Sequence, residues 1–313
     1  IAVGQVHGKP VSITEWNVPY PKIDRFTAPL YVAGISALQG WDAPMIYNYS
    51  QRSFERPSRQ GTWSTFSDVA ITGMMPAAAL LYRQAHVAPA RKEYCIMLDK
   101  QKIYMQSSHP KNMASLRTLV EQSKVTIGLP DTKELRWDRQ TRVTGAAKVI
   151  TDIDRDYIAQ RQSFVRSDTG ELTRNWVKGY QIIDTDKTQA VQGWIGGDKL
   201  KLKNVSFDIA TPKAAVAVSS LDGQAIGQSE RILISAVARA MPSPGNKMPM
   251  LSEPVKGKIS IAAPKGLMLI PLAGDGSELP EIELKYAAGK YTVELPAKSG
   301  THWFVLKKRS AQK

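Results

Sequence analysis

Residues 9–17 read KPVSITEWN, and this stretch decides how the front of the chain is interpreted. The apolar segment VSIT predicts a short strand, which ends in Glu15 and is followed directly by Trp16 and Asn17. A carboxylate at the end of an apolar strand costs free energy unless something uses it. Glu15 is therefore a candidate functional residue, and an ion pair at a strand edge is the alternative.

The segments after Glu15 alternate between helical and extended patterns. Residues 26–39 (FTAPLYVAGISALQ) have most apolar side chains on one side and predict a helix that ends at Gly40. Residues 43–49 (APMIYNY) predict a second buried strand, and Asp68 can cap a further helix. Strand–helix–strand–helix order is typical of a parallel α/β fold.

A second group of candidate residues surrounds that second strand. Trp41 lies 26 positions after Glu15, and Tyr47 and Asn48 follow it. That interval fits one crossover, which would bring the two strands side by side. A sugar ring packs its C–H face on an aromatic ring, while amide and phenol groups bond its hydroxyls. Core packing of Trp41 and Tyr47 is the alternative.

The chain changes character near residue 90, where short β-type segments separated by turn signals begin. Residues 214–220 (AAVAVSS) and 231–238 (RILISAVA) have the composition of sandwich-core strands, and residues 114–123 predict one helix. We expect an α/β front followed by antiparallel β-sandwich domains. The predicted divisions are 1–90, 91–249 and a small domain at 250–313.

The combination of ITEWN, a helix and a Trp-bearing strand resembles strands seven and eight of the clan A glycoside hydrolases. These enzymes are (β/α)8 TIM barrels and include cellulases, β-galactosidases, β-xylosidases and agarases. The resemblance implies that Glu15 is the nucleophile of a retaining glycosidase and that Trp41 packs against the sugar. Trp16, Asn17, Tyr47 and Asn48 are the further expected substrate contacts.

The resemblance covers about residues 9–90 and departs from the clan in one respect. The clan's acid/base Glu, usually preceded by Asn, lies on strand four, and the 14 residues before Glu15 cannot supply it. We expect an N-terminal part of the barrel, in the same or a separate chain, to provide it. The resemblance also implies a secreted or periplasmic protein that degrades polysaccharides or oligosaccharides.

Composition limits the remaining function classes. The formal net charge is +14, and residues 1–90 hold only 7 of the 42 Lys+Arg and 5 of the 28 Asp+Glu. This excess of basic residues after residue 90 favours an acidic polymer as a partner, or a merely solubilising surface. Scattered His residues, a single Cys95 and no Gly-rich phosphate loop predict neither a metal nor a cofactor, and no nucleic-acid motif is present. No apolar run reaches the length of a membrane span.

A non-catalytic protein is the alternative function. A β-sandwich protein that binds acidic glycans would expose some of Trp137, Trp176 and Trp194. The alternative is that they are buried in the core, as tryptophan in a sandwich more often is. In that case glycan binding would not depend on Glu15.

Overall fold

The structure is a computed structural model that describes residues 4–50, 54, 58–101, 114–130, 141–152, 157, 162–296 and 300–309. The helices with described bounds are α1 (Ala28–Gln39), α2 (Val69–Thr72), α3 (Met75–Arg83) and α4 (Ala114–Gln122), and a 3-10 helix (Ile23–Thr27) precedes α1. The strands, in chain order, are β1 (Ser12–Trp16), β2 (Ala43–Ile46), β3 (Glu93–Met97), β4 (Lys124–Gly128), β5 (Lys148–Ile150), β6 (Phe164–Arg166), β7 (Leu172–Asn175), β8 (Tyr180–Asp184), β9 (Thr188–Trp194), β10 (Lys199–Lys201), β11 (Val205–Ile209), β12 (Lys213–Ser220), β13 (Arg231–Val237), β14 (Ala240–Ser243), β15 (Lys247–Ser252), β16 (Gly257–Ala262), β17 (Leu267–Leu272), β18 (Tyr286–Ala287), β19 (Lys290–Leu295) and β20 (Trp303–Lys308).

Two antiparallel sheets face each other and enclose the largest hydrophobic core. One has eight strands in the order β17-β20-β13-β12-β9-β8-β7-β6, and the other has five in the order β10-β11-β16-β19-β18. Alternate side chains of both sheets point inward, and Phe207, Val216, Ile259 and Phe304 are fully buried between them. This is a β-rich sandwich, in agreement with the evenly spaced short strands of the sequence.

The central strand β12 carries buried side chains on both of its faces. Val216 and Val218 face the sandwich core, whereas Ala215 and Ala217 face a second core on the other side. A strand covered on both faces has a continuous apolar sequence rather than an alternating one. The eight-stranded sheet is therefore a wall shared by two cores.

The front of the chain builds the second core. Helix α1 buries Leu30, Ala33 and Leu38 against this core, which also includes Ala215 and Ala217 of β12. The helix has proline in its first turn and ends at Gly40, whose φ of 68° is left-handed. The N–H of Gly40 donates to the carbonyl of Ala37, which satisfies one of the free carbonyls at the helix end. The prediction of this helix is confirmed.

Strands β1 and β2 form a small parallel sheet joined by the α1 crossover. Ser12 is opposite Ala43 and Ile13 is opposite Pro44, and the register shifts before Trp16. Within the described residues each of these strands pairs only with the other.

The predicted TIM-barrel portion in residues 1–90 is wrong. The described chain is mostly β-sheet with four short helices, and its two large sheets are antiparallel. The β1–α1–β2 unit packs its helix against one face of the eight-stranded sheet instead of joining a ring of parallel strands. A single β–α–β unit has the same local pattern in either setting, so the pattern could not distinguish them.

Two further features differ from the expected arrangement. Strands β4, β3 and β5 form a three-stranded parallel sheet covered by α4, although the region 91–249 was expected to be a sandwich. The predicted boundary near residue 250 does not separate two sheets, because β16 pairs with β11 and β20 pairs with β13. None of the described helices combines the length and apolar character needed to cross a bilayer.

Candidate functional site

A cleft of about 770 Å³ lies at the carboxyl ends of β1 and β2. The two strands are parallel, so the residues that follow them meet at the same edge of the sheet. The cleft is lined by Glu15, Trp16, Asn17, Val18, Thr27, Ala28, Tyr31, Val32, Tyr47 and Trp63. Four of the expected site residues, Glu15, Trp16, Asn17 and Tyr47, are thus brought together.

Asn17 joins the segments that form the cleft. Its side-chain N–H donates to the carbonyl of Tyr47 (2.6 Å) and to the carbonyl of Trp63 (2.9 Å). The backbone N–H of Tyr47 in turn donates to the carbonyl of Trp16 at 2.9 Å. Because both amide hydrogens are used in this way, Asn17 holds Tyr47 and Trp63 in position, and only its carbonyl oxygen is left to contact a ligand.

Aromatic rings form the walls of the cleft. Tyr47 and Trp63 contact each other edge to face, with ring centres 6.5 Å apart, and more than a third of each side chain is exposed. Trp16 and Tyr31 also line the cleft and are half-buried. Aromatic side chains that stay exposed around a concave surface are typical of sites for ligands with flat apolar faces.

Glu15 is the one carboxylate among the described residues that line the cleft. Its side chain is exposed, and it makes no hydrogen bond or ion pair with any described residue. The strand-edge ion pair considered from the sequence is therefore not formed within that part of the chain. The carboxylate of Glu15, in a cleft lined by aromatic rings, can act as a nucleophile, a general base or a hydrogen-bond acceptor.

Tyr31 connects the cleft to the eight-stranded sheet. Its hydroxyl donates to Oε1 of Glu121 at 3.4 Å, and Oε2 of Glu121 accepts from Nε of Arg174 at 2.5 Å. Burial, and secondarily the negative charge of Glu121, raise the pKa of Tyr31 to about 12. The phenol therefore stays protonated near neutral pH.

Two expected site residues do not line the cleft. Trp41 precedes the start of β2, so it lies at the opposite end of that strand, where it is buried and its indole N–H donates to the side-chain oxygen of Gln5 at 3.1 Å. The alternative of core packing describes its position. Asn48 follows Tyr47, but its side-chain oxygen is buried and has no hydrogen-bond partner in the described structure.

Two of the aromatic wall residues have no recognisable signal in the local sequence. Trp63 comes from the polar loop after β2 and reaches the cleft because the N–H of Asn48 donates to its carbonyl at 3.1 Å. Tyr31 lies in the first turns of α1, where it looked like one more apolar helix residue. Both depend on long-range packing, which no local pattern encodes.

Other polar clusters have structural partners. His7 Nδ1 lies 2.6 Å from Oε1 of Glu93, and the backbone N–H of Thr144 donates to His7 Nε2 at 3.1 Å. No group of three or more potential metal ligands occurs in the described ranges. Comparison of the chain with protein-family models, with curated proteins and with solved structures found no match.

Proposed function

We propose that the cleft binds a sugar and that Glu15 is the nucleophile of a retaining glycoside hydrolase. One observation carries the proposal: an exposed carboxylate without a described partner stands at a strand end inside a cleft walled by Trp16, Tyr31, Tyr47 and Trp63. The aromatic walls suit the C–H faces of sugar rings. The cleft volume lies within the range usual for small-ligand sites.

The chemistry assigned to Glu15 is a double displacement. Its carboxylate attacks the anomeric carbon as the bond to the leaving oxygen breaks, and a covalent glycosyl ester forms. A second carboxyl group, about 5–5.5 Å from the first in retaining enzymes, protonates the leaving oxygen and then removes a proton from the water that cleaves the ester. Since Glu15 is the one carboxylate in the described lining, this acid/base group has to come from outside it.

The proposed substrate is a polysaccharide or oligosaccharide, and an enzyme of this kind acts where the polymer is. We therefore also propose a secreted or periplasmic location. The aromatic walls would hold two or more sugar rings. Asn17 would hold the segments that carry Tyr47 and Trp63 at the correct separation.

A second candidate function is non-catalytic glycan binding through the same cleft. The absence of a second carboxylate from the described lining favours it, because one carboxylate suffices to accept hydrogen bonds from sugar hydroxyls. In this case Glu15→Gln would weaken binding and no covalent intermediate would form.

Covalent labelling distinguishes the two candidates. A fluorinated glycosyl donor with a dinitrophenolate leaving group needs no protonation of that group, so it can label the nucleophile even when the acid/base residue is missing. We expect a panel of gluco-, galacto-, xylo- and manno-configured donors to include one that labels Glu15, located by peptide mass spectrometry. Such labelling supports the hydrolase.

The matched controls are Glu15→Gln and Glu283→Gln, which removes another exposed carboxylate. Labelling has to disappear in the first and persist in the second, with thermal unfolding unchanged in both. If the full panel leaves Glu15 unlabelled while Glu15→Gln lowers oligosaccharide affinity, the binding function replaces the hydrolase.

A further inference from the structure

Two exposed indoles lie at one end of the eight-stranded sheet. Trp194 ends β9 and is 56% exposed, and Trp176 follows β7 and is 38% exposed. The alternative of core packing therefore does not describe either residue, and Trp137 lies outside the described residues. Solvent contact of this extent is unusual for side chains with so large an apolar surface.

Both indoles are on the side of the sheet that carries α1 and the cleft. Lys213 is the strand partner of Trp194, and two residues further along β12 Ala215 belongs to the front core, so all three share one face. The guanidinium carbon of Arg174 lies 5.4 Å from the ring centre of Trp176, which places these two on one face as well. Arg174 pairs with Glu121, the partner of the cleft residue Tyr31, so this surface adjoins the cleft.

The two strands that carry the indoles lie close together. Strands β7 and β9 are separated only by β8, so the backbones at Trp176 and Trp194 are roughly 10 Å apart across the sheet. Both indoles are therefore within reach of one extended polysaccharide chain.

Gly179, in the turn between β7 and β8, permits the position of Trp194. A Cβ at residue 179 would lie 2.7 Å from Cδ1 of the indole, and the backbone there has a φ of +76°. The N–H of Trp194 also donates to the carbonyl of Gly179 at 3.0 Å. The absence of a side chain at residue 179 therefore leaves the space that the indole occupies.

A basic side chain stands against each of the two rings. Lys213 Nζ lies 4.2 Å from the ring centre of Trp194 and is held by Asp24 at 2.9 Å, and Arg174 is held by Glu121. Both cations are paired with carboxylates, but 28% of the Lys213 side chain and 32% of the Arg174 side chain stay exposed, where a sulfate or carboxylate group of a bound sugar would meet them. The net charge of +14 attracts polyanions from a distance.

We infer that Trp176 and Trp194, with Arg174 and Lys213, form a second binding surface for an acidic polysaccharide whose chain continues into the Glu15 cleft. This inference rests on the proposed function, because it takes a glycan as the ligand of the cleft. The surface keeps the polymer attached while the cleft acts on one part of it.

Binding to immobilised polymers tests the surface in the full chain. The probes are a sulfated galactan, a polyuronate and a neutral β-glucan, each at low and high salt. We expect Trp176→Ala/Trp194→Ala to weaken binding of at least one acidic polymer roughly tenfold. Phe164→Ala is the control, because Phe164 is 44% exposed but pairs with Asn175 on the sandwich side of the sheet.

The outcomes separate this inference from the proposed function. Labelling of Glu15 that persists while the double variant binds acidic polymers as tightly as the parent overturns the surface and leaves the hydrolase standing. The surface is also overturned if the parent binds the neutral glucan as tightly as it binds the acidic polymers at both salt concentrations. A selective loss in the double variant supports the surface even when Glu15 is not labelled, and in that case the hydrolase fails alone.

Discussion

The two cores on either side of the eight-stranded sheet are stabilised in different ways. The sandwich core consists of apolar side chains from facing strands, such as Phe207 and Ile259. The front core instead borders a fully buried ion pair, in which Nε of Arg25 lies 2.5 Å from Oδ2 of Asp68 and Nη2 lies 2.9 Å from Oδ1. Nη2 of the same arginine donates to the carbonyl of Ala240 at 2.7 Å.

The difference shows how position is specified. Apolar burial is strong but not directional, and many arrangements of similar volume satisfy it. A bidentate ion pair has one geometry, so Arg25 fixes where the segment before α1 lies relative to β14. Since Thr27, Ala28 and Tyr31 follow directly and line the cleft, this polar contact positions the candidate site.

The largest expected loss of stability comes from truncation in the sandwich core. Phe207→Ala removes a buried ring and should lower the free energy of unfolding by about 4 kcal/mol. Urea denaturation followed by circular dichroism measures this loss. A loss below about 1 kcal/mol, similar to that expected for the exposed Phe164→Ala, would contradict the assignment of Phe207 to the core.

The front core should respond almost as strongly to the loss of one charge. Arg25→Met leaves the Asp68 carboxylate buried without its partner, and we expect a cost of about 3 kcal/mol. In Arg25→Met/Asp68→Asn the charge is gone, while the amide oxygen can still cap Ala70 as Asp68 does at 3.1 Å. The double variant should therefore be more stable than Arg25→Met. If it is less stable, the unpaired charge of Asp68 is not the cause of the lost stability.

A pH-dependent effect on stability is expected at His86, which contacts Thr188 of β9. His86 is buried and its Nδ1 lies 2.8 Å from Oγ1 of Thr188; burial, and then the nearby charge of Lys187, lower its pKa from 6.5 to about 4. Below pH 6.5 the unfolded chain binds a proton that the folded chain does not, so stability falls as the pH drops towards 4. The loss is roughly 2–3 kcal/mol.

Denaturation midpoints across this pH range, compared with those of His86→Gln, isolate the effect from that of the carboxylates. The stability of the parent relative to that of His86→Gln should decrease as the pH falls. A difference that does not change between pH 7 and pH 4 would contradict the lowered pKa.

The smallest effect is expected at an ion pair on the sandwich surface. Lys258 Nζ lies 3.0 Å from Oε1 of Glu294, and both side chains are largely exposed. Lys258→Gln should cost less than about 1 kcal/mol, because water screens the pair. A loss of about 3 kcal/mol in the same denaturation experiment would show that an exposed ion pair contributes as much to stability as the buried Arg25–Asp68 pair.

Local elements of the fold could be predicted because their signals are local. The helix in residues 26–39 is found as α1, the helix in residues 114–123 as α4, and the apolar runs at 214 and 231 as β12 and β13. The Asp68 cap is also confirmed, although the helix after it is divided into α2 and α3. Pro76 lies in the first turn of α3. Proline is tolerated there but disrupts the interior of a helix, so a single helix through this position is disfavoured.

Long-range pairing could not be predicted in the same way. The β1–α1–β2 pattern predicts part of a barrel, but the partner of α1 is an antiparallel sheet more than a hundred residues later in the chain. Within the candidate site, Glu15 and Tyr47 follow strand ends and were identifiable, whereas Trp63 depends on a loop. Trp41 does not reach the cleft, because a residue that precedes a parallel strand lies at the amino end of that strand.

The shared wall also limits how the protein can be divided. A fragment that begins near residue 162 would keep every strand of the sandwich but expose Leu172, Ile183 and Val237 to water, along with Ala215 and Ala217. A contiguous apolar surface of this kind promotes aggregation of an otherwise folded module. The sandwich is therefore not a portable unit, and transplanting it into another protein would first require polar substitutions on the face that the front of the chain now covers.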